Sequence, residues 1–235
     1  MVLQGAGRIP VKYGVTTEEL FKALGLNLSR LSIDQVQNGF SQNGFALIYQ
    51  PDHFPLAEKL IRYREDIGKR PPIASMELLW SAHQGKHIII SGFVHPPTEK
   101  RHIKTLRLLG ETNLILIKGL EGGIDLSTSR SSTIGQYKNQ HGTRTVFHPK
   151  DYECSGQDVE WSDIKEWKKF ALQALTGESP LTKSLVWNAG IYFFYAGLSP
   201  NIQEGINKAK EVINSGFALK HLEKLINWRH ENIDS

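Results

Sequence analysis

Three continuous apolar runs punctuate the chain: Phe45-Ala46-Leu47-Ile48-Tyr49, residues 87–94, and Asn113-Leu114-Ile115-Leu116-Ile117-Lys118. Short runs of this kind, rich in β-branched residues, read as strands buried on both faces, as in parallel sheets. Between the last two, residues 99–109 read as helix, which gives the strand–helix–strand pattern of a mostly parallel sheet covered by helices. Residues 130–148 look like shorter strands, with Thr145-Val146-Phe147 the clearest. Met1-Val2-Leu3-Gln4 reads as a strand end running into Gly5-Ala6-Gly7, with its usual sheet partner expected elsewhere or absent.

Capping boxes mark two helices early in the chain. Thr16 with Glu19 starts one that stops at Gly25, and Ser32 with Gln35 starts one that ends near Gly44. Pro55 opens a third helix, closed by Gly68, with Leu56, Leu60, Tyr63 and Ile67 on one face that is expected to be buried. After Asp163 the pattern is helical throughout, with 185–195 apolar almost all round and 202–213 and 218–228 amphipathic. The fold class expected is α/β: a mostly parallel central sheet flanked by helices, with a helical carboxy-terminal region. No internal repeat, low-complexity tract or linker breaks the chain, so residues 1–235 are expected to form a single domain.

Composition narrows the class. With 235 residues, 40% of them apolar and 22% charged, the chain can bury a full core and has the balance of a soluble domain. No window approaches the ~18 uninterrupted apolar residues of a membrane span, and residues 1–8 lack the apolar core of a signal peptide. One cysteine, Cys154, excludes an internal disulfide and cannot build a zinc site alone. A reducing cytoplasm is the expected address. The net charge of +4 favours anionic ligands without selecting between phosphates and nucleic acid.

In an open α/β sheet, ligands bind on loops leaving the carboxyl ends of strands. The loop from Gly5 to Gly14 carries Arg8 and Lys12 and leads to the Thr16 cap, so its glycines and cations suit a phosphate; a plain glycine turn has the same pattern. After the most apolar strand, Lys118-Gly119-Leu120-Glu121-Gly122-Gly123-Ile124-Asp125 places two carboxylates on a glycine-rich loop. Glu121 and Asp125 can hold Mg²⁺ through one or two oxygens, with phosphates and water completing the shell, or Lys118 can pair with Glu121 structurally. Arg64 projects from the edge of the third helix's apolar stripe. There it needs a carboxylate or phosphate partner, from a ligand or from the protein. His95 follows a strand before Pro96-Pro97, where a satisfied prolyl turn is the plainer reading.

With these residues in view, the chain resembles the α/β domain of anthranilate phosphoribosyltransferase-like proteins, which group with the pyrimidine nucleoside phosphorylases. The resemblance runs through Arg8 to Gly14, Arg64-Glu65-Asp66-Ile67-Gly68-Lys69-Arg70, Lys118-Gly119-Leu120-Glu121-Gly122 and Trp187-Asn188-Ala189-Gly190-Ile191-Tyr192, and points to a divergent branch. It implies phosphoribosyl pyrophosphate with Mg²⁺ as donor and an aromatic amine as acceptor. It further implies donor or phosphate contacts from Gly5, Arg8, Lys12 and Thr16, acceptor binding by Arg64, and metal binding by Asp125, with Glu121 as the second carboxylate because Ile124 stands at one usual ligand position. Leu3, Gln4 and Ala6 replace the family's lysine, histidine and asparagine. The family's amino-terminal helical domain and glycine-rich donor loop are expected to be missing. The isolated chain is therefore expected to be impaired or inactive, or to work with a separate amino-terminal fragment or as a homo-oligomer.

The alternative class is a non-catalytic nucleic-acid- or nucleotide-binding protein of the same fold. Lys59, Arg62, Arg64, Lys69 and Arg70 form one basic cluster and Lys100, Arg101, Lys104 and Arg107 another, offset by Glu58, Glu65, Asp66 and Glu99.

Overall fold

Local signals set the first elements. The computed structural model describes residues 1–8, 14–68, 77–139 and 141–232. Strand β1 spans Val2–Gly5. At Thr16 the side chain accepts from the Glu19 amide at 3.2 Å while Glu19 Oε2 accepts from the Thr16 amide at 2.9 Å, opening helix α1, Thr17–Ala23. Ser32 and Gln35 repeat the arrangement for α2, Ile33–Asn43, which stops at Gly44 with a left-handed φ of 67°. Strand β2, Ala46–Tyr49, then lies parallel to β1, with Val2 opposite Ala46 and Gly5 opposite Tyr49. Of the two expectations for the partner of β1, elsewhere or absent, the first is met: the partner is β2. It lies beyond two helices, where a parallel crossover must place it.

The next segment departs from expectation. After a short α3 (Gln50–His53), the one helix expected from Pro55 to Gly68 is two short ones, α4 (Pro55–Glu58) and α5 (Ile61–Ile67). The face expected to be buried is open, with Leu56 at 70% exposure and Tyr63 at 62%, whereas Ala57 and Arg64 are buried. Helical spacing identifies a stripe, but only the tertiary surroundings decide which side is covered.

Strand β3 (Ile89–Gly92), helix α6 (Pro96–Leu108) and strand β4 (Asn113–Lys118) follow, then β5 (Ser132–Lys138) and β6 (His141–Phe147). Four helices complete the order: α7 (Ile164–Ala174), α8 (Thr182–Tyr195), α9 (Ile202–Asn214) and α10 (Phe217–Glu231). The chain forms two compact units, one from Met1–Met76, Ser162–Leu172 and Ala218–Ser235, the other from Glu77–Trp161 and Gln173–Phe217.

In the first unit α10 returns to the start of the chain. Arg229 is buried and donates to the carbonyls of Asn27, Ser29 and Asn232, and Trp228 Nε1 donates to Asn38 Oδ1 at 3.3 Å. The Trp228 ring lies so close to Gly39 that a Cβ there would come within 2.6 Å of it.

The second unit is built on a sheet of order β3-β4-β5-β6. Alternation along β4 assigns its faces. Ile115 and Ile117 join Ile134, Trp187, Ile191 and Ile206 in one core, while Leu114 and Leu116 join Ile89, Phe93 and Leu106 in the other. The α/β class stands. Its parallel character resides in β1–β2 and β3–β4, whereas β4–β5 and β5–β6 are antiparallel. Helices α8 and α9 cross at a contact only glycines permit: a Cβ on Gly205 would stand 2.2 Å from the Gly190 carbonyl oxygen. Under the sheet Glu99 is 0% exposed, accepting from the Tyr137 hydroxyl at 2.7 Å and pairing with Arg144, whose Nε donates at 3.1 Å.

Candidate functional site

Candidate residues occur in both units, and each group is described within its own. In the first, Gly5 ends β1, and Gly7 lies close enough to Tyr49 that an added Cβ would sit 3.4 Å from its hydroxyl. Arg8 pairs with Glu19, with Nη2 2.7 Å from Oε1 and Nε donating at 2.8 Å. The Thr16 hydroxyl is also engaged, donating to Glu19 Oε2 at 3.1 Å. Glu19 therefore gathers the charge of Arg8 and the cap of α1 into one cluster, and an anion approaching Arg8 has to compete with it. Lys12 lies outside the described residues. Arg64 is 2% exposed on α5, although the apolar stripe beside it, expected to be buried, faces out.

The Arg8 contact and the Thr16 amide hold the Glu19 carboxyl at about 2, well below its ordinary 4.5. The sign is that of a depressed acid: the contribution is complete above pH 4.5 and fades as pH falls towards 2. Because Arg8 is largely in solvent, screening leaves only a small part of it. Glu19→Gln is expected to lower the melting temperature at neutral pH and to have little effect near pH 2. Equal losses at both would show that the charge does not matter.

In the second unit, the loop after β4 is a tight structure of backbone bonds. Leu120 N–H donates to the Asp125 carbonyl at 3.0 Å and Gly123 N–H to the Leu120 carbonyl at 2.7 Å. Glu121 and Gly122 take left-handed φ values of 49° and 81°. The floor is the end of β3: a Cβ on Gly92 would stand 2.2 Å from the Gly122 carbonyl oxygen and 2.4 Å from that of Gly123. Glu121 is exposed, and no ion pair joins it to Lys118 among the described residues. Asp125 reaches solvent from a crowded seat, and desolvation there raises its carboxyl above the ordinary value.

Helix α8 grips this loop on both sides of Asp125. Asn188 Oδ1 accepts from the Leu126 amide at 2.8 Å, and its Nδ2 donates to the Leu126 carbonyl at 3.0 Å and to Ser184 at 2.9 Å. The Tyr192 hydroxyl donates to the Ile124 carbonyl at 2.6 Å, and burial, aided by the Asp125 charge, pushes this phenol far above its usual range, so it remains a donor. Beyond Leu126, Asp158 accepts from Ser127 at 2.9 Å and from Ser129 at 2.7 Å. Desolvation opposes its ionisation, but these hydroxyls prevail and lower its carboxyl.

Sequence reasoning named Glu121, Ile124 and Asp125 but missed Asn188 and Tyr192 as the supports of their loop. The available signal was a single amide within the apolar run of α8, since a buried amide must be hydrogen-bonded.

The other candidates have less to offer. His95 is an exposed residue at the start of α6. Cys154 is buried, and desolvation pushes its thiol up, away from nucleophilic chemistry. The basic face of α6 borders a cavity of about 360 Å³ lined by Lys100, Ile103, Lys104, Arg107 and Leu108. Among the described residues no group of three or more His, Cys, Asp or Glu can enclose a metal ion, and no helix is long and apolar enough to cross a membrane.

Known proteins resemble this arrangement along most of the chain. It is similar to the anthranilate phosphoribosyltransferases of Cupriavidus necator, at 24% identity over 212 residues, and Polynucleobacter necessarius, at 27% over 212. Each match covers 88% of this chain, which spans 62% of the length of those relatives. Among solved structures it is similar to anthranilate phosphoribosyltransferase from Thermus thermophilus, with a TM-score of 0.77 at 20% identity over 97% of this chain and 68% of that one. The Saccharomyces cerevisiae enzyme in complex with PRPP and Mg gives 0.75 at 17% identity over 97% and 64%. Residues 14–219 match the family described as glycosyl transferase family, a/b domain, and this chain belongs to that family.

Proposed function

We propose that the protein handles phosphoribosyl pyrophosphate in a phosphoribosyltransferase-type reaction, with an aromatic amine or related compound as acceptor. The observation that carries the reading is the glycine-rich loop with Glu121 and Asp125 at the carboxyl end of β4, in a member of a glycosyl transferase family. The donor set suits Mg²⁺ shared with a ligand: two carboxylates on an open loop are too few for a protein cage but enough when phosphate oxygens and water fill the remaining positions. When bound there, Mg²⁺ supplies neutralisation of the pyrophosphate charge. The chain's own residues bind and orient. Asp125 and Glu121, in the second unit, fix the cation's place; within the first unit, each taken separately, the Gly5 loop with Arg8, Lys12 and Thr16 is assigned to phosphate contact and Arg64 to the acid group of the acceptor. Such a site works by positioning and electrostatics. Removal of one charge-stabilising contact costs about 3 kcal/mol, so turnover by a chain with the replacements at Leu3, Gln4 and Ala6 is expected to be low even where donor binding survives.

Titration calorimetry with phosphoribosyl pyrophosphate tests this reading. Wild type is expected to bind more tightly with Mg²⁺ than without, and Asp125→Ala to lose that gain. Equal binding by both proteins rejects the metal role. For Arg64, replacement by methionine keeps the volume and removes the fork, and is expected to weaken an aromatic carboxylate such as anthranilate. A lowered melting temperature with unchanged ligand affinity would make Arg64 purely structural.

A further inference from the structure

Asp125 sits between two residues whose backbones are tied to one helix. Asn188 meets Leu126 through both its oxygen and its nitrogen, at 2.8 and 3.0 Å, as a neighbouring strand would. One turn further along α8, Tyr192 holds the Ile124 carbonyl at 2.6 Å. The Asp125 carbonyl itself accepts from Leu120 at 3.0 Å. The backbone is thus fixed before, at and after the carboxylate, and only the side-chain torsions of Asp125 remain free. The helix supplying these contacts is itself fixed, since Trp187 and Ile191 are fully buried and Gly190 lies against α9.

We infer that Asn188 and Tyr192 are positioning residues, holding the Asp125 carboxylate where a Mg²⁺-bound pyrophosphate group meets it. This rests on the phosphoribosyltransferase reading above. The amide of Asn188 spends its hydrogen bonds on Leu126 and on Ser184 of its own helix, and the hydroxyl of Tyr192 donates to Ile124. Their effect runs through Asp125. Groups that orient a metal-binding residue from behind typically govern metal affinity by roughly ten- to a hundredfold.

Tyr192→Phe removes one hydroxyl and keeps the ring. Asn188→Ala removes the clamp, and Asn188→Asp keeps the size but cannot donate to the Leu126 carbonyl. Two measurements on the intact protein decide the matter. In hydrogen exchange, amides of residues 119–126 are expected to exchange faster in Tyr192→Phe and Asn188→Ala, while those of α9 stay protected. In calorimetry, both variants are expected to lose roughly tenfold or more of the Mg²⁺-dependent affinity for phosphoribosyl pyrophosphate and to keep the affinity measured in EDTA. Asn188→Asp is expected to fall with Asn188→Ala, which a role in mere space-filling would not produce. The positioning role is overturned if wild type shows Mg²⁺-dependent binding that Asp125→Ala abolishes, yet both clamp variants retain it within about twofold. No Mg²⁺-dependent binding by wild type overturns the transferase reading and the positioning role together. Unchanged exchange at 119–126 overturns the clamp whatever the ligand.

Discussion

Gly92→Ala is expected to destabilise the protein by about 3 kcal/mol and to abolish Mg²⁺-dependent donor binding in whatever fraction stays folded. The added methyl would lie 2.2 Å from the Gly122 carbonyl oxygen, 2.4 Å from that of Gly123 and 2.6 Å from the Gly123 carbonyl carbon. All three are backbone atoms of the loop that carries Asp125, so no side-chain rotation relieves the contact. Either β3 or the loop has to move, and the loop is also tied to α8 through Asn188 and Tyr192. Urea denaturation gives the first quantity and calorimetry the second. A variant with wild-type stability and wild-type binding would mean that the loop shifts freely, against the rigidity described above.

Arg144→Ala is the second large effect, again about 3 kcal/mol. Arg144 is half-exposed and loses little by its own removal, but Glu99 is 0% exposed and would keep, among the described residues, only the Tyr137 hydroxyl. An uncompensated carboxylate in the interior dominates over the weak worth of a surface cation. Adding Glu99→Gln to Arg144→Ala is expected to recover a good part of the loss, because a neutral amide has no charge to desolvate. Denaturation of the two single variants and the double variant closes the cycle. A loss below about 1 kcal/mol for Arg144→Ala would show that solvent or another donor reaches Glu99.

The parts of the fold that the sequence announced are those governed by neighbours. Thr16 with Glu19 and Ser32 with Gln35 are four-residue signals, and both form the capping boxes they suggest. β4 was legible as an uninterrupted apolar run because it is covered on both faces. What was left open or misread is non-local. Which segment pairs with β1 was left open, because that partner is reached only through a crossover of two helices, and the exposed face of Leu56 and Tyr63 is set by what lies against α5, which periodicity along the chain does not encode. The candidate loop was recognisable from its place after β4 and its carboxylates. Its supports were not, since Asn188 is 62 residues from Leu126 and Tyr192 is 68 from Ile124. Arg8 shows a third kind of gap: its counter-ion, Glu19, had already been assigned to a helix cap, and one carboxylate serves both purposes.

The clasp of α10 on the beginning of the chain bears on how the polypeptide matures. Arg229 binds the carbonyl of Asn27 across 202 positions, and that of Ser29 across 200. During synthesis these carbonyls have no arginine to satisfy them until α10 has left the ribosome. The unit made of Glu77–Trp161 and Gln173–Phe217 carries the four-stranded sheet and both of its cores, and needs nothing from α10 to organise. Released chains truncated just short of Arg229 should therefore resist proteases around β4 and be cut readily near Asn27.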